Sequence, residues 1–197
     1  MDLFDTPGKG PLEIDGLSPL ADRLRPQSLA EVIGQRQILG PEAPLSVMLA
    51  ARVFSSIIFW GPPGVGKTTI ARLLAQETDL HFIQISAIFS GVPELRKVFQ
   101  TAKIRRDNGQ GTLLFVDEIH RFNKAQQDSF LPLMENGTIV LVGATTENPS
   151  FELNAAVLSR AQVMVLKRLA LEELELLAQR AEAEAGLQLP LEIDARR

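Results

Sequence analysis

One unbroken run, Gly61-Pro62-Pro63-Gly64-Val65-Gly66-Lys67-Thr68, has the G-x-x-x-x-G-K-[ST] spacing of a loop that wraps a phosphate chain. The chemistry asks for these residue types. Glycines let the backbone curl so that successive N–H groups face anionic oxygens, Lys67 supplies a charge at the β/γ-phosphates, and the Thr68 hydroxyl can ligate Mg²⁺. Thr69 follows directly and is counted with the nucleotide-binding residues. A chance Gly/Pro turn is the plain alternative, so the flanks decide. A strand must precede the run, and a helix must follow it with its positive N-terminal end toward the phosphates. Gly8-Lys9-Gly10 has neither the spacing nor the flanks.

A second cluster follows. Leu113-Leu114-Phe115-Val116 reads as a buried strand that runs into Asp117-Glu118, placing two carboxylates at the edge of a sheet where α/β folds bind ligands. Asp117 is expected to hold Mg²⁺, mostly through water, and Glu118 to polarise the water that attacks the γ-phosphate. An acidic pair at a strand end is common surface chemistry; its place one strand and one helix after the loop gives it meaning. The next strand ends in Ala144-Thr145-Thr146-Glu147-Asn148, where Thr145, or Thr146 beside it, could orient the water. From spacing alone, a simple strand-end turn is the better-supported reading. Leu158-Ser159-Arg160 places one arginine after a short apolar helix, and a lone arginine is ordinarily solvated.

The elements that must position these residues are legible as alternation. Strand-like runs at Ser56–Trp60, His81–Ser86, Thr112–Asp117, Thr138–Thr145 and Gln162–Leu166 alternate with helix-like segments, predicting an α/β three-layer fold around a five-stranded parallel sheet. Lys67–Glu77 sets Ile70, Leu73 and Leu74 on one face, and Glu94–Arg106 does so with Leu95, Val98, Phe99 and Ala102. A last helix is expected at Leu171–Ala185, ended by Gly186. The expected divisions are a mobile tail over 1–18, a core over 19–168 and the start of a further unit over 169–197.

Composition narrows the classes. The 197 residues include no cysteine and two well-separated histidines, His81 and His120, which argues against disulfides and a zinc site and leaves Mg²⁺ arriving with a nucleotide. No apolar run approaches the roughly 20 residues of a membrane span, so a cytoplasmic protein is expected. A net charge of -4 gives no bulk attraction to nucleic acid. DNA contacts would need local basic surface, for which Arg96, Lys97, Lys103, Arg105 and Arg106 on one helix, and Arg121 and Lys124 after the carboxylates, are the candidates.

Taken together, the chain resembles AAA+ ATPases, in the clamp-loader-related branch of replication-associated recombination protein A. Four ordered blocks carry the resemblance: Pro19-Leu20-Ala21-Asp22-Arg23-Leu24-Arg25-Pro26, Phe59 to Gly64, Asp117-Glu118-Ile119-His120-Arg121-Phe122-Asn123-Lys124, and Gly143 to Phe151. The resemblance implies ATP and Mg²⁺ as cofactors and strand order 5-1-4-3-2. It also implies an adenine pocket near Arg25, Pro26, Ile33 and Gly34, Thr145 as the first sensing residue, and Arg160 as an arginine finger at a subunit interface. It further implies a homo-oligomeric ring, a tetramer, acting on forked, gapped or single-stranded DNA ends in replication-fork maintenance, recombination and repair. Nucleoid association, and partnership with the sliding clamp or single-strand-binding protein, belong to the same expectation.

The resemblance also implies a helical lid with a second sensing arginine and an oligomerisation domain after the core, and 169–197 is expected to be the start of that lid, incomplete here. Asp194-Ala195-Arg196-Arg197 echoes the second sensing segment, and Met1-Asp2-Leu3-Phe4 resembles the end of a clamp-docking peptide. Two rival functions are a clamp-loader subunit, opposed by Phe122-Asn123-Lys124 and Glu147-Asn148-Pro149, and a nucleotide-gated binding module without turnover, opposed by Glu118.

Overall fold

In a computed structural model the described residues are 19–186; the 1–18 tail with its Met1–Phe4 segment, and Asp194–Arg197, lie outside them. Strands β1 (Ser56–Trp60), β2 (His81–Ser86), β3 (Thr112–Asp117), β4 (Ile139–Thr145) and β5 (Ala161–Val165) form one parallel sheet in the order β2-β3-β4-β1-β5. This is the implied order, written from the other edge. Helices α1 (Leu20–Arg23), α2 (Arg36–Leu39) and α3 (Pro44–Ala51) precede β1, α4 (Lys67–Glu77) leads to β2, and α5 (Val92–Asp107) to β3. The pairs α6 (Lys124–Asp128) with α7 (Leu131–Glu135), and α8 (Pro149–Glu152) with α9 (Ala155–Leu158), lead to β4 and β5, and α10 (Leu171–Ala185) follows.

Strand periodicity divides the apolar residues into two cores, because successive side chains point to opposite faces. On one face Ile57 and Phe59 of β1, Leu113 and Phe115 of β3 and Val142 of β4 meet Ile70, Ala71 and Leu74 of α4. On the other, Ile58, Leu114, Val116 and Leu141 meet Leu95 and Ala102 of α5, together with Ile119, Phe122 and Phe130. Coverage on both faces is why β1 and β3 are continuous apolar runs. Edge strand β5 instead leaves Gln162, Val163 and Val165 exposed.

Three elements differ in their bounds from the sequence expectation. Strand β4 begins at Ile139 because Thr138 is engaged in the preceding turn, its hydroxyl donating to Asn136 Oδ1 at 2.6 Å and accepting from Arg106 Nη1 at 3.1 Å. Strand β5 begins one residue early, with Ala161 paired to Ser56, although Leu166 still donates its N–H to the Trp60 carbonyl at 2.7 Å. Helix α5 starts at Val92, with Pro93 in its first turn, where a missing N–H costs nothing. Among the described residues, no helix is long and apolar enough to cross a membrane.

Candidate nucleotide site

Strand β1 lies between β4 and β5, so the loop leaving its C-terminal end opens where the sheet connections part, the position α/β folds use for ligands. Gly64 and Gly66 sit in the left-handed region at φ +79° and +94°, and Gly66 is the residue from which α4 starts. Gly61 is required for another reason: a Cβ there would run into the Leu166 carbonyl oxygen. Its N–H donates to the Thr145 carbonyl at 3.1 Å, which fastens the loop to β4. Lys67 is only 8% exposed, and its Nζ donates to the carbonyls of Gly61 and Pro62, each at 2.8 Å. Burial lowers the Lys67 pKa below its ordinary value, and the negative charges of Glu118 and Asp117 pull it partly back. Val65 is buried, Thr68 and Thr69 are half-buried in the first turn of α4, and Pro62 and Pro63 form the loop's outer part.

Asp117 closes β3 opposite Ser86, with its carbonyl accepting from the Ala87 N–H at 2.9 Å. Glu118 then adopts φ 52° and ψ 46°, a left-handed conformation for a residue with a Cβ. Such a conformation costs on the order of 1–3 kcal/mol and persists only where the surroundings impose it. Here they do. The Glu118 Oε2 atom lies 3.2 Å from His120 Nδ1 and accepts from Thr146 Oγ1 at 3.4 Å, and the Glu118 carbonyl accepts from the Arg121 N–H at 2.8 Å. Thr145 is fully buried, with its Oγ1 3.0 Å from His120 Nδ1, accepting from the Glu147 N–H at 3.1 Å and donating to the Glu147 carbonyl at 3.2 Å.

The two threonines therefore divide: Thr146 reaches the carboxylate, and Thr145 reaches the histidine. Sequence reasoning weighed His120 only as a zinc ligand and missed this place for it. The signal was available in the Asp117-Glu118-Ile119-His120 order, but only the turn at Glu118 brings the ring back to the carboxylate. Among the described residues, no group of three or more His, Cys, Asp or Glu could hold a metal ion alone. A hydroxyl at Thr68 and a carboxylate at Asp117 fit Mg²⁺ that takes its other ligands from phosphates and water.

The adenine-side candidates are spread along the segment before β1. Arg25 is exposed and paired with Asp22 at 2.9 Å, while Pro26 and Ile33 are half-buried. Gly34, at φ +75°, passes so close to the segment entering α10 and to its first turn that a Cβ would lie 2.7 Å from Leu169 Cδ2 and 3.1 Å from Glu173 Oε2. Gln35 clamps the same region by donating to the Lys167 carbonyl at 2.7 Å and accepting from the Lys167 N–H at 3.0 Å.

Arg160 is not brought to this site. It precedes Ala161, the partner of Ser56, and so lies beside the start of β1 while the phosphate loop leaves its end. There it helps line an open cavity of about 280 Å³ with Phe54, Ser56, Met134 and Glu135. Of the basic candidates on α5, Arg96, Lys97, Lys103 and Arg106 are exposed and Arg105 is half-buried, and the Arg106 guanidinium also donates to the Thr138 hydroxyl. Arg121 and Lys124 are exposed just after the carboxylates.

Residues 57–169 match the family described as ATPase family associated with various cellular activities (AAA). Replication-associated recombination protein A of Escherichia coli K12 is 53% identical over 80% of this chain and 35% of its own length. The ATPase WRNIP1 of Dictyostelium discoideum is 44% identical over 83% of this chain and 19% of its own. A solved structure of RuvB, the Holliday junction branch migration motor of Thermotoga maritima, superposes with a TM-score of 0.67 at 30% identity, covering 84% of this chain and 56% of that one. The chain thus spans about a third of the length of the bacterial relative.

Proposed function

The chain belongs to the AAA family of ATPases, in the branch of replication-associated recombination protein A, and from that premise we propose that it binds MgATP at Gly61–Thr69 and hydrolyses it at subunit interfaces. The observation that carries the reading is the convergence of the phosphate loop, Lys67, Glu118 and Thr145 at one end of the sheet, joined by the Gly61–Thr145 hydrogen bond. Bound MgATP supplies the phosphoanhydride and a cation that draws charge from it. Lys67 exchanges its two loop carbonyls for phosphate oxygens, keeping its donors satisfied. Thr68 and Asp117 hold the cation, directly or through water. Glu118 takes a proton from the attacking water, and Thr145, once its hydroxyl leaves the Glu147 carbonyl, or Thr146, whose hydroxyl already reaches that carboxylate, orients the water. Arg25, Pro26, Ile33 and Gly34 border the base. Arg160 serves the neighbouring copy's site.

The substrate we propose is DNA in replication-associated recombination, forked, gapped or with single-stranded ends, acted on by a homo-oligomer, a tetramer, in the cytoplasm at the nucleoid. The relatives' names support that setting: one is a replication-associated recombination protein and another a branch migration motor. The sliding clamp and single-strand-binding protein are the proposed partners. The test is phosphate release from MgATP at rising protein concentration, with and without forked and gapped DNA, beside direct nucleotide binding. Release that rises with concentration and with DNA supports the reading. Failure to bind MgATP at millimolar concentration overturns it.

A further inference from the structure

His120 is a nearly buried imidazole, its side chain 6% exposed, with Nδ1 3.2 Å from Glu118 Oε2 and 3.0 Å from Thr145 Oγ1. The chemistry of those two neighbours decides which ring nitrogen carries a proton. A carboxylate only accepts. The Thr145 hydroxyl also reaches the Glu147 carbonyl, so it can donate there and accept from the ring. Because the carboxylate only accepts, the geometry is satisfied with the proton on Nδ1, within reach of both oxygens.

The turn that holds the ring is itself tightly set. Ile119, between Glu118 and His120, is fully buried against β4, where a Cβ on Gly143 would lie 3.0 Å from Ile119 Cδ1 and 3.2 Å from its Cγ2. We infer that His120 is a positioning residue: its Nδ1–H ties the Glu118 carboxylate to buried Thr145 at the end of β4, so that the base keeps one geometry. The inference rests on the hydrolysis reading for its purpose. The hydrogen bond itself stands on the distances alone.

The test begins with the ring nitrogens. The chain has two histidines, so ¹⁵N spectra of the wild type and of His120→Asn assign His120 directly. The expected result is an Nδ1 that carries a proton and shifts in both Glu118→Ala and Thr145→Val. A bare Nδ1, or one unmoved by both changes, overturns the inference, whether or not the chain turns over ATP.

Turnover supplies the second arm. The amide nitrogen of asparagine is as many bonds from Cβ as Nδ1, whereas that of glutamine is one bond farther. His120→Asn should keep kcat close to wild type, while His120→Gln and His120→Ala lose about 10²-fold, the cost of a misplaced reacting group, with nucleotide affinity unchanged. Equal loss in all three variants, or loss of affinity in place of kcat, also overturns it. A wild type with no turnover in the presence of DNA would count against the hydrolysis reading and leave the spectroscopic result intact.

Discussion

The backbone N–H of Gly61 donates to the carbonyl of Thr145 at 3.1 Å, so the first residue of the phosphate loop and the last residue of β4 share a hydrogen bond. The pairing extends the β1–β4 register, in which Trp60 already faces Thr145. A shift of β4 is therefore a shift of the loop's entrance, and the side chain of Thr145 lies on the moving part.

Gly61→Ala tests how tightly that entrance is built. The added methyl meets the Leu166 carbonyl oxygen and lies 3.1 Å from its carbonyl carbon, both parts of a backbone that cannot swing aside. Overpacking of this kind costs about 1–3 kcal/mol. Chemical denaturation should show a loss of that order, accompanied by weaker nucleotide binding. A variant as stable as wild type would mean that the end of β5 yields.

Glu118→Gln and Lys67→Ala should separate chemistry from binding. The amide keeps the shape of the carboxylate but cannot take a proton, so turnover should drop about 10²- to 10⁴-fold while MgATP still binds. Lys67→Ala removes the charge at the phosphates and should weaken binding itself. Near-normal hydrolysis in Glu118→Gln, in an assembled enzyme, would remove Glu118 from the role of base.

Buried Lys67 predicts a pH dependence with a definite sign. Its pKa is lowered by desolvation against an ordinary 10.5, so between the two values the unfolded chain binds more protons than the folded one. Stability from this group rises with pH through that alkaline window and is flat below it. Thermal unfolding of wild type relative to Lys67→Met should improve as pH climbs toward 10.5. A difference independent of pH would show that the ammonium stays solvated.

Much of this was readable because the chemistry is local in sequence. The run Gly61–Thr68 fixes loop, cation and helix start in eight consecutive residues, and the unbroken apolar stretch before Asp117 marks a strand covered on both faces. The edges were harder. Thr138 has the β-branched side chain of a strand residue, yet Asn136 and Arg106 claim its hydroxyl, a contact that spans 32 positions for Arg106. Arg106 is a like case, since its place on α5 shows in the sequence while its bond to Thr138 depends on the sheet. His120 escaped because its role depends on the left-handed turn at Glu118, which no propensity announces.

Arg121 and Lys124 remain the exposed basic pair nearest the carboxylates, and their contribution to DNA binding has a measurable signature. Each phosphate contact steepens the fall of affinity with salt, so the double alanine variant should flatten the slope of log K against log salt by about two units. Arg106→Ala should change stability before it changes that slope, because its guanidinium bonds Thr138. An unaltered slope in the double variant would exclude this loop from the interface.

Arg160 should act on the site of a neighbouring copy. Its own phosphate loop lies beyond the far end of β1, and a strand of that length rises about 17 Å at 3.3 Å per residue, farther than one side chain reaches. The guanidinium is held ready: Nε and Nη2 meet Glu135 Oε1 at 2.8 and 2.6 Å, and Nη1 donates to the Ala156 carbonyl at 2.9 Å. With both side chains partly exposed, that pair contributes at most about 1 kcal/mol to stability, so removing it should leave the fold intact. Arg160→Ala should then bind MgATP normally and lose about 10³- to 10⁵-fold in turnover, the range known for arginine fingers. Arg160→Lys should not restore it, because a point charge lacks the planar fork. Mixing Arg160→Ala with Lys67→Ala subunits decides between cis and trans. Some interfaces then join an intact loop to an intact arginine, and activity should partly return. If mixed oligomers form and activity stays absent, while each variant mixed with wild type behaves as expected, Arg160 does not complete a neighbour's site.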